Sequence, residues 1–173
     1  MIEPIFRLQK GDGTWGAFED DWRVQCENHE EDFSEYALGT FGVLEELISE
    51  PQPKSAAFAI HNGSMHSAIC QINTTMLPGY QEPVMRVRHM AFCPELDFGD
   101  GSIEDYSDAL VGAFTGILAL SEVDDQLKAK HLKMHLKSPA DRQFFSALSP
   151  MLGKLERFTS VRLVGSWLYV DKS

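Results

Sequence analysis

The 173-residue sequence lacks the features that mark several common protein classes. Its three cysteines, Cys26, Cys70 and Cys93, form no CxxC motif, and this predicts reduced, buried thiols in a cytoplasmic protein. No apolar run approaches the roughly 20 residues that span a bilayer, and the first seven residues contain no basic stretch followed by an apolar one. We therefore expect neither a membrane segment nor a secretory signal. GxSxG, GxxxxGK[ST] and GxGxxG motifs are also missing, which argues against serine hydrolases and the common nucleotide-binding folds.

Positive charge is scarce in most of the chain. Residues 1–127 carry six Lys and Arg against 23 Asp and Glu, whereas residues 128–173 carry nine against three, and the net charge is −11. This net charge predicts a soluble protein that repels nucleic acid and anionic membranes. If an anionic ligand binds, we expect its cations to come from the last quarter of the chain.

Length and a hydrophobic content of 43% predict a single domain over residues 1–173. Apolar residues at three- and four-residue steps predict helices over Glu31–Ser49 and Asp105–Glu122, and Ser138-Pro139 begins a third helix. Asn62-Gly63 predicts a tight hairpin. Alternating or β-rich patterns predict strands at residues 5–10, Ser55–His61, Met65–Thr75, Val84–Cys93, His131–Lys137 and Val161–Val170, the last broken at Gly165.

The order strand, glycine-bearing loop and helix from Val84 onward is typical of an anion-binding site. The first N–H groups of a helix have no partner within the helix, and the helix dipole favours negative charge there. No Lys or Arg occurs between Arg88 and Lys128, however, and acidic residues crowd the place where a phosphate would lie: Asp97, Asp100, Glu104, Asp105 and Asp108. Gly99 and Gly101 are therefore open to two interpretations, a phosphate-binding loop or an ordinary turn.

The order of elements resembles the GNAT superfamily of acyl-CoA-dependent N-acyltransferases, most weakly over residues 1–54. The residues that carry the resemblance are Leu96-Asp97-Phe98-Gly99-Asp100-Gly101, which matches both glycines of the family's Gln/Arg-x-x-Gly-x-Gly/Ala loop, and Ser138 to Phe145, which follows the register of Asn-x-x-Ala-x-x-Phe-Tyr. The resemblance implies an α/β (α+β) fold: a mixed, mostly antiparallel sheet flanked by helices and splayed between its fourth and fifth strands.

The resemblance also implies a site for acetyl-CoA or another acyl-CoA, the donor substrate. Backbone from Met90, Ala91, Phe92 and Cys93 would bind the pantetheine arm, Gly99 and Gly101 the pyrophosphate, and Ser138 and Phe145 would stand at the second motif. The sequence departs from the family at two positions: Leu96 replaces the basic or amide residue of the loop, and Phe145 replaces the tyrosine that protonates the departing thiolate. A phenyl ring has no proton to give, so the thiolate would be protonated by solvent.

Two residues near the expected cleft are candidates for catalysis. A neutral His89 could deprotonate an amine, as could a water, although most strand histidines are structural. Cys93 could donate a proton or act as a nucleophile, but acidic neighbours raise a thiol pKa and favour a buried structural role. Trp15, Trp22 and Trp167 line an acceptor pocket or belong to the core.

Beyond these residues, one strand carries a charged face made of His131, Lys133, His135 and Lys137. It offers cations to the phosphates of coenzyme A or is simply a solvated face. No metal site is expected, because an i,i+4 histidine pair on a strand spans roughly 13 Å.

Two functions are therefore in competition. The first is an N-acyltransferase that moves an acyl group from a coenzyme A thioester to a small-molecule amine or a basic peptide. The second is a catalytically degenerate module that keeps the cleft for binding a small ligand or peptide, or for forming a homodimer. The acidic loop favours basic partners and opposes a donor that carries several negative charges.

Overall fold

A computed structural model describes residues 4–173, and residues 1–3, part of the segment read for a signal, lie outside the described residues. Within the described chain, no helix is both long and apolar enough to cross a membrane. The elements in chain order are β1 (Ile5–Arg7), α1 (Thr14–Asn28), α2 (Leu38–Ser49), β2 (Ser55–His61), β3 (His66–Thr75), β4 (Val84–Phe92), α3 (Pro94–Phe98), α4 (Ile103–Val123), β5 (His131–His135), α5 (Pro139–Leu152), β6 (Phe158–Val164) and β7 (Trp167–Lys172).

The strands form one seven-stranded sheet in the order β1-β2-β3-β4-β5-β7-β6. Every neighbouring pair is antiparallel except β4 and β5, which are parallel. The β4–β5 register runs only from Val84 opposite His131 to Val87 opposite Met134. Among residues 4–173, no strand pairs with the rest of β4, from Arg88 to Phe92, on that side, so the two strands diverge as the resemblance implied.

Each face of the sheet supports a separate apolar cluster. On one face, alternate residues of β2 to β7 pack against α4 and α5, with Met85, Ile117 and Phe145 at its centre. On the other face, Ala57, Ala59 and Ile69 pack against α1 and α2. Strands in the middle of the sheet are therefore buried on both sides: the five central residues of β2 are apolar, whereas β3 buries Gln71 and Asn73 among its apolar residues.

Several sequence-based expectations are confirmed. β2 and β3 pair antiparallel around Asn62-Gly63, with Gly63 at a positive φ of 97°, and β4 joins the same sheet. Ser138 caps α5 through a reciprocal capping box with Asp141, and Pro139 occupies the first turn. The three cysteines are free and buried.

Other expectations are wrong at the level of elements. The expected helix from Glu31 begins only at Leu38, because Ala37 adopts a left-handed conformation with φ 49° that a helix cannot continue through. The expected loop after β4 contains the short helix α3, and the broken C-terminal strand is a hairpin that turns at Gly165 with φ 60°. The first strand ends at Arg7, and helix α1 was not expected at all.

Candidate functional site

The divergence of β4 from β5 opens a cleft of about 380 Å³. Its walls come from the α1–α2 connection, the second half of β4, Asp97 of α3, and the beginnings of α2, α4 and α5. The lining residues include Tyr36, Thr40, Met90, Ala91, Phe92, Asp97, Tyr106, Lys137, Ser138 and Asp141. Among the residues predicted to bind the donor, Met90, Ala91, Phe92 and Ser138 therefore lie together at this cleft.

A β-bulge at His89 turns β4 into the cleft. The β3–β4 register shifts between Ile69 and Gln71, and His89 has φ 52°, a left-handed conformation that is strained for a residue other than glycine. Burial, together with the positive charges of Arg88, His135 and Lys137, lowers the pKa of His89. Its imidazole is therefore neutral over a wider pH range than usual, as a general base requires.

Tyr36 contacts the backbone of β4 in the cleft through its hydroxyl. Its hydroxyl lies 2.6 Å from the Phe92 carbonyl oxygen and 2.6 Å from Asp97 Oδ2. A hydroxyl has only one proton. Both contacts are hydrogen bonds only when the Tyr36 hydroxyl donates to the Phe92 carbonyl and a protonated Asp97 donates to the hydroxyl oxygen. Desolvation, together with nearby Asp141, raises the pKa of Asp97, which favours that protonated arrangement. Burial and Asp97 also raise the pKa of Tyr36.

A second tyrosine–aspartate pair lies on the opposite wall. The Tyr106 hydroxyl donates to Asp141 Oδ1 at 2.5 Å, and Asp141 also caps α5, its backbone N–H donating to Ser138 Oγ at 3.0 Å. Burial and Asp141 raise the pKa of Tyr106, so this phenol stays protonated at neutral pH. The capping box fixes Asp141, and Asp141 in turn fixes the position of the Tyr106 hydroxyl.

Several N–H groups of the glycine loop already donate hydrogen bonds to other groups of the protein. The Gly99 N–H donates to the Glu95 carbonyl at 3.0 Å, and the Ser102 N–H donates to Asp105 Oδ2 at 2.7 Å. Ser102 Oγ accepts from the Asp105 N–H, which completes a capping box at the start of α4. The protein's own side chains thus satisfy part of the helix N-terminus that would otherwise attract an anion.

The two loop glycines differ in what surrounds them, and this difference yields a prediction. A Cβ on Gly99 would lie 2.3 Å from the Glu95 carbonyl oxygen, whereas a Cβ on Gly101 would meet nothing closer than 3.7 Å. We expect Gly99→Ala to lower the free energy of unfolding by about 1–3 kcal/mol and Gly101→Ala to leave it nearly unchanged, as measured by urea denaturation. A Gly101→Ala protein that keeps its stability but loses affinity for coenzyme A would instead indicate a phosphate-binding loop.

The remaining predicted residues lie away from the open cleft. Cys93 has no exposed surface, its Sγ is 3.9 Å from Met65 Sδ, and burial raises its pKa to about 11. Phe145 is also fully buried and packs between Phe114 and Phe144. Within residues 4–173, no group of three or more His, Cys, Asp or Glu side chains is arranged to hold a metal ion.

Sequence reasoning missed the two tyrosine–aspartate pairs. Tyr36 and Tyr106 fall within the predicted helices Glu31–Ser49 and Asp105–Glu122, and Asp141 follows the predicted start of the third helix, but none of the three was predicted to line the cleft. The partners are 61 residues apart in the first pair and 35 in the second, so no local spacing connects them. The available signal was weaker: each tyrosine stands near the start of a helix, where a polar tip can reach solvent or a cleft.

Comparison with known proteins places these features in a known architecture. No family model matches the sequence, and neither does any curated protein. An aminoglycoside N(6′)-acetyltransferase from Legionella pneumophila aligns over 99% of this chain and 91% of that one, at 13% identity and a TM-score of 0.52. A probable acetyltransferase from Staphylococcus epidermidis aligns over 98% and 95%, at 12% identity and 0.49. The KacTA–DNA complex aligns over 80% of each chain, at 16% identity and 0.44.

Only the first of these TM-scores exceeds 0.5, and at 13% identity that likeness shows the fold alone. This chain itself has a mixed sheet with one parallel pair, β4 and β5, whose strands diverge beyond Val87. The chain therefore has the fold of the GNAT acetyltransferases, in a divergent form.

Proposed function

We propose that this protein is an N-acyltransferase that transfers an acyl group from a coenzyme A thioester to a primary amine. The observation that carries the proposal is the cleft between β4 and β5. Beyond Val87, no strand of the described chain pairs with the backbone of β4 on the cleft side, and Met90, Ala91 and Phe92 line a cavity of about 380 Å³. An extended pantetheine arm would hydrogen-bond to such a backbone as an additional strand does.

The reaction needs two proton transfers, which we assign to Tyr106 on the cleft wall and to His89, the neighbour of the cleft residue Met90, or a water. The amine nitrogen attacks the thioester carbonyl and gives up a proton to His89 or to a water, the C–S bond breaks, and the thiolate takes up a proton. Phe145 cannot provide that proton, but the Tyr106 hydroxyl lies on the cleft wall and is protonated at neutral pH. We assign Tyr106 as the acid, with Asp141 as the residue that positions it: the hydroxyl turns its single proton from Asp141 to the thiolate sulfur, gives it up, and is reprotonated by solvent.

A degenerate binding module remains the second candidate, and one contact favours it. The Phe92 carbonyl, which a pantetheine arm would need, already accepts a hydrogen bond from Tyr36. The cleft also contains the two acids Asp97 and Asp141 and only one cation, Lys137, among the residues that line it. Such a cleft would suit a cationic amine or a basic peptide better than a donor with several phosphates.

Two measurements separate the candidates. The first is thermal shift with acetyl-CoA and with free coenzyme A: a ligand at 100 times its dissociation constant adds about 2.7 kcal/mol to the free energy of unfolding. The second is release of free thiol from acetyl-CoA in the presence of mixed amines. An acyltransferase gives both signals. Stabilisation by a polyamine or a basic peptide, with no stabilisation by acetyl-CoA and no thiol release, would support the binding module.

Removing negative charge beside the glycine loop is expected to strengthen coenzyme A binding. At a pH above the raised pKa of Asp97, where both carboxylates are ionised, Asp97→Asn and Asp100→Asn together should improve affinity, each charge contributing about 1 kcal/mol, or fivefold, at low ionic strength. Titration calorimetry at low and moderate salt measures the change. Nanomolar affinity in the unmodified protein, or no gain in the double variant, would contradict the expectation.

The raised pKa of Asp97 also predicts how the stability of the protein depends on pH. Since its folded pKa lies above the unfolded value of about 3.9, Asp97 contributes stability that is complete below that value and is lost as pH rises through the folded pKa. The melting temperature of Asp97→Asn should therefore gain on that of the unmodified protein as pH rises from about 4 towards neutrality. If the melting temperatures of the two proteins differ by the same amount at every pH, Asp97 does not titrate in this way.

Phe145→Tyr tests whether the position of the family's acid retains any role. The ring is fully buried between Phe114 and Phe144, so an added hydroxyl without a partner should cost about 1–3 kcal/mol of stability. With Tyr106 as the acid, we expect no rise in turnover. A Phe145→Tyr protein that releases thiol faster at an unchanged melting temperature would return the role to this position.

A further inference from the structure

One half of the sheet is basic on the side where α1 and α2 pack. These two helices cover β1 to β3, but farther along the same face most side chains of β4, β5, β7 and β6 are at least partly exposed, although Val84 at the start of β4 is buried. We call this surface the basic face and define it by the residues Arg86, Arg88, Lys133, Arg162, Trp167 and Tyr169.

The strand register arranges these residues in rows that cross the sheet. Asn73 of β3 lies opposite Arg86, Arg86 opposite Lys133, Lys133 opposite Tyr169, and Tyr169 opposite Arg162. The next row begins with Gln71 opposite Arg88 and continues beyond the cleft with His135 opposite Trp167. Neighbouring strands are about 4.8 Å apart, so the first row extends over roughly 19 Å.

Among the described residues, three of the four cations of the basic face, Arg86, Arg88 and Lys133, have no counter-charge. Within the described residues, no carboxylate lies within ion-pair distance of Arg86, Arg88 or Lys133, and Asp171, which contacts Arg162 at 3.2 Å, also contacts His131. Four buried polar atoms in the same rows have no hydrogen-bond partner within residues 4–173: the Nε atoms of Arg86 and Arg88, Gln71 Oε1 and Asn73 Oδ1. Gln71 and Asn73 are each only 8% exposed. Buried polar atoms without partners are rare in folded proteins and require an explanation.

Aromatic rings alternate with the cations. The Lys133 ammonium lies 4.4 Å from the centre of the Trp167 ring and 5.2 Å from that of Tyr169, and the Arg162 guanidinium lies 5.0 Å from that of Tyr169. An exposed cation–π contact is weak, so a Lys or Arg head group can leave the aromatic ring and bind a phosphate. The ring is then free to stack on a nucleic-acid base.

We propose that the basic face binds single-stranded nucleic acid, with phosphates on Arg86, Lys133 and Arg162 and a base stacked on Trp167 or Tyr169. Cations combined with aromatic rings on exposed strands are the chemistry by which sheets bind single strands. An acidic peptide would use the cations but not the rings. The net charge of −11 predicts repulsion, yet the acids are concentrated in residues 1–127, whereas three of these four elements, β5, β6 and β7, belong to the basic last quarter.

Fluorescence anisotropy with labelled oligo(dT) and oligo(U) of about ten nucleotides tests this proposal. Neutralising three phosphates on a single strand predicts a slope of about −2 for log affinity against log salt. Trp167 provides a second signal, because a stacked base should quench its fluorescence. The test variant is Lys133→Gln with Arg162→Gln, and its matched control is Lys54→Gln with Lys154→Gln, two exposed lysines of other surfaces.

We expect the test variant to lose about tenfold in affinity and the control to bind as the unmodified protein does. Trp167→Leu should weaken binding without reducing the salt slope, because it removes stacking and no charge. The proposal is overturned if neither oligonucleotide binds at about 50 mM salt, if the two double variants weaken binding equally, or if polyglutamate of matched charge binds as tightly as the oligonucleotides.

Discussion

Tyr106→Phe is expected to lower kcat for acyl transfer by about 10²-fold, the lower end of the usual contribution of a positioned acid. The hydroxyl that this variant removes lies on the cleft wall and is held at 2.5 Å by Asp141. The rest of the ring, which packs 5.2 Å from Phe92, is retained, so KM for the acyl donor should change little. Steady-state thiol release over a range of acetyl-CoA concentrations measures both constants.

Tyr80→Phe provides the control for this substitution. Tyr80 packs against His131 at the far end of β5, and its loss of a hydroxyl should leave kcat unchanged. Asp141→Asn should reduce kcat less than Tyr106→Phe does, because Asp141 positions the acid and an amide oxygen still accepts its hydrogen bond. If Tyr106→Phe keeps full turnover at an unchanged melting temperature, solvent or another group protonates the thiolate and the assignment of Tyr106 is wrong.

Trp22→Ala is expected to lower the free energy of unfolding by about 3–5 kcal/mol. Trp22 is fully buried, its ring packs against Phe18, Tyr36 and Phe41, and its Nε1 donates to the His66 carbonyl at 2.8 Å. The substitution leaves a large cavity between α1, α2 and the sheet. Because Tyr36 rests on this ring, ligand binding in the cleft should weaken together with stability. Urea denaturation and thermal shift measure the two effects.

Trp22→Phe separates the hydrogen bond from the volume. It keeps an aromatic ring beside Phe18 and leaves the His66 carbonyl without its donor, so a smaller cost of about 1–3 kcal/mol is expected. Equal losses in the two variants would mean that the hydrogen bond, and not the packing, dominates at this position.

The sheet was predictable because its signals are local. Asn62-Gly63 fixed the β2–β3 hairpin, and the alternation of Leu132 and Met134 with charged residues marked β5. Helix α1 was missed because its apolar residues are few and interrupted by acids, and its burial depends on the second face of the sheet, which no local pattern reveals. The length of α2 was overestimated because the apolar periodicity begins before the helix does. The backbone at Ala37 is left-handed, so the helix cannot extend through it.

The chemistry of the cleft was predictable only in outline. The resemblance located the backbone of Met90 to Phe92 at the cleft, but it also drew attention to Phe145 and Cys93, which are buried. Tyr36, Asp97, Tyr106 and Asp141 meet only through tertiary structure, since each pair joins separate elements. The basic face was visible as alternating charge on β5, while its continuation onto β4, β6 and β7 required the register.

The single parallel pairing in the sheet has a consequence for folding. β1 to β4 are consecutive in sequence except for the helices between β1 and β2, and they pair with their neighbours before β5 is needed. β5 reaches β4 only after the long crossover through α3 and α4, and it meets β4 at four register positions. Until then the edge of β4 from Val84 to Val87 is unpaired and largely apolar. A chain that ends before His131 would therefore present this edge to other chains, and we expect it to aggregate.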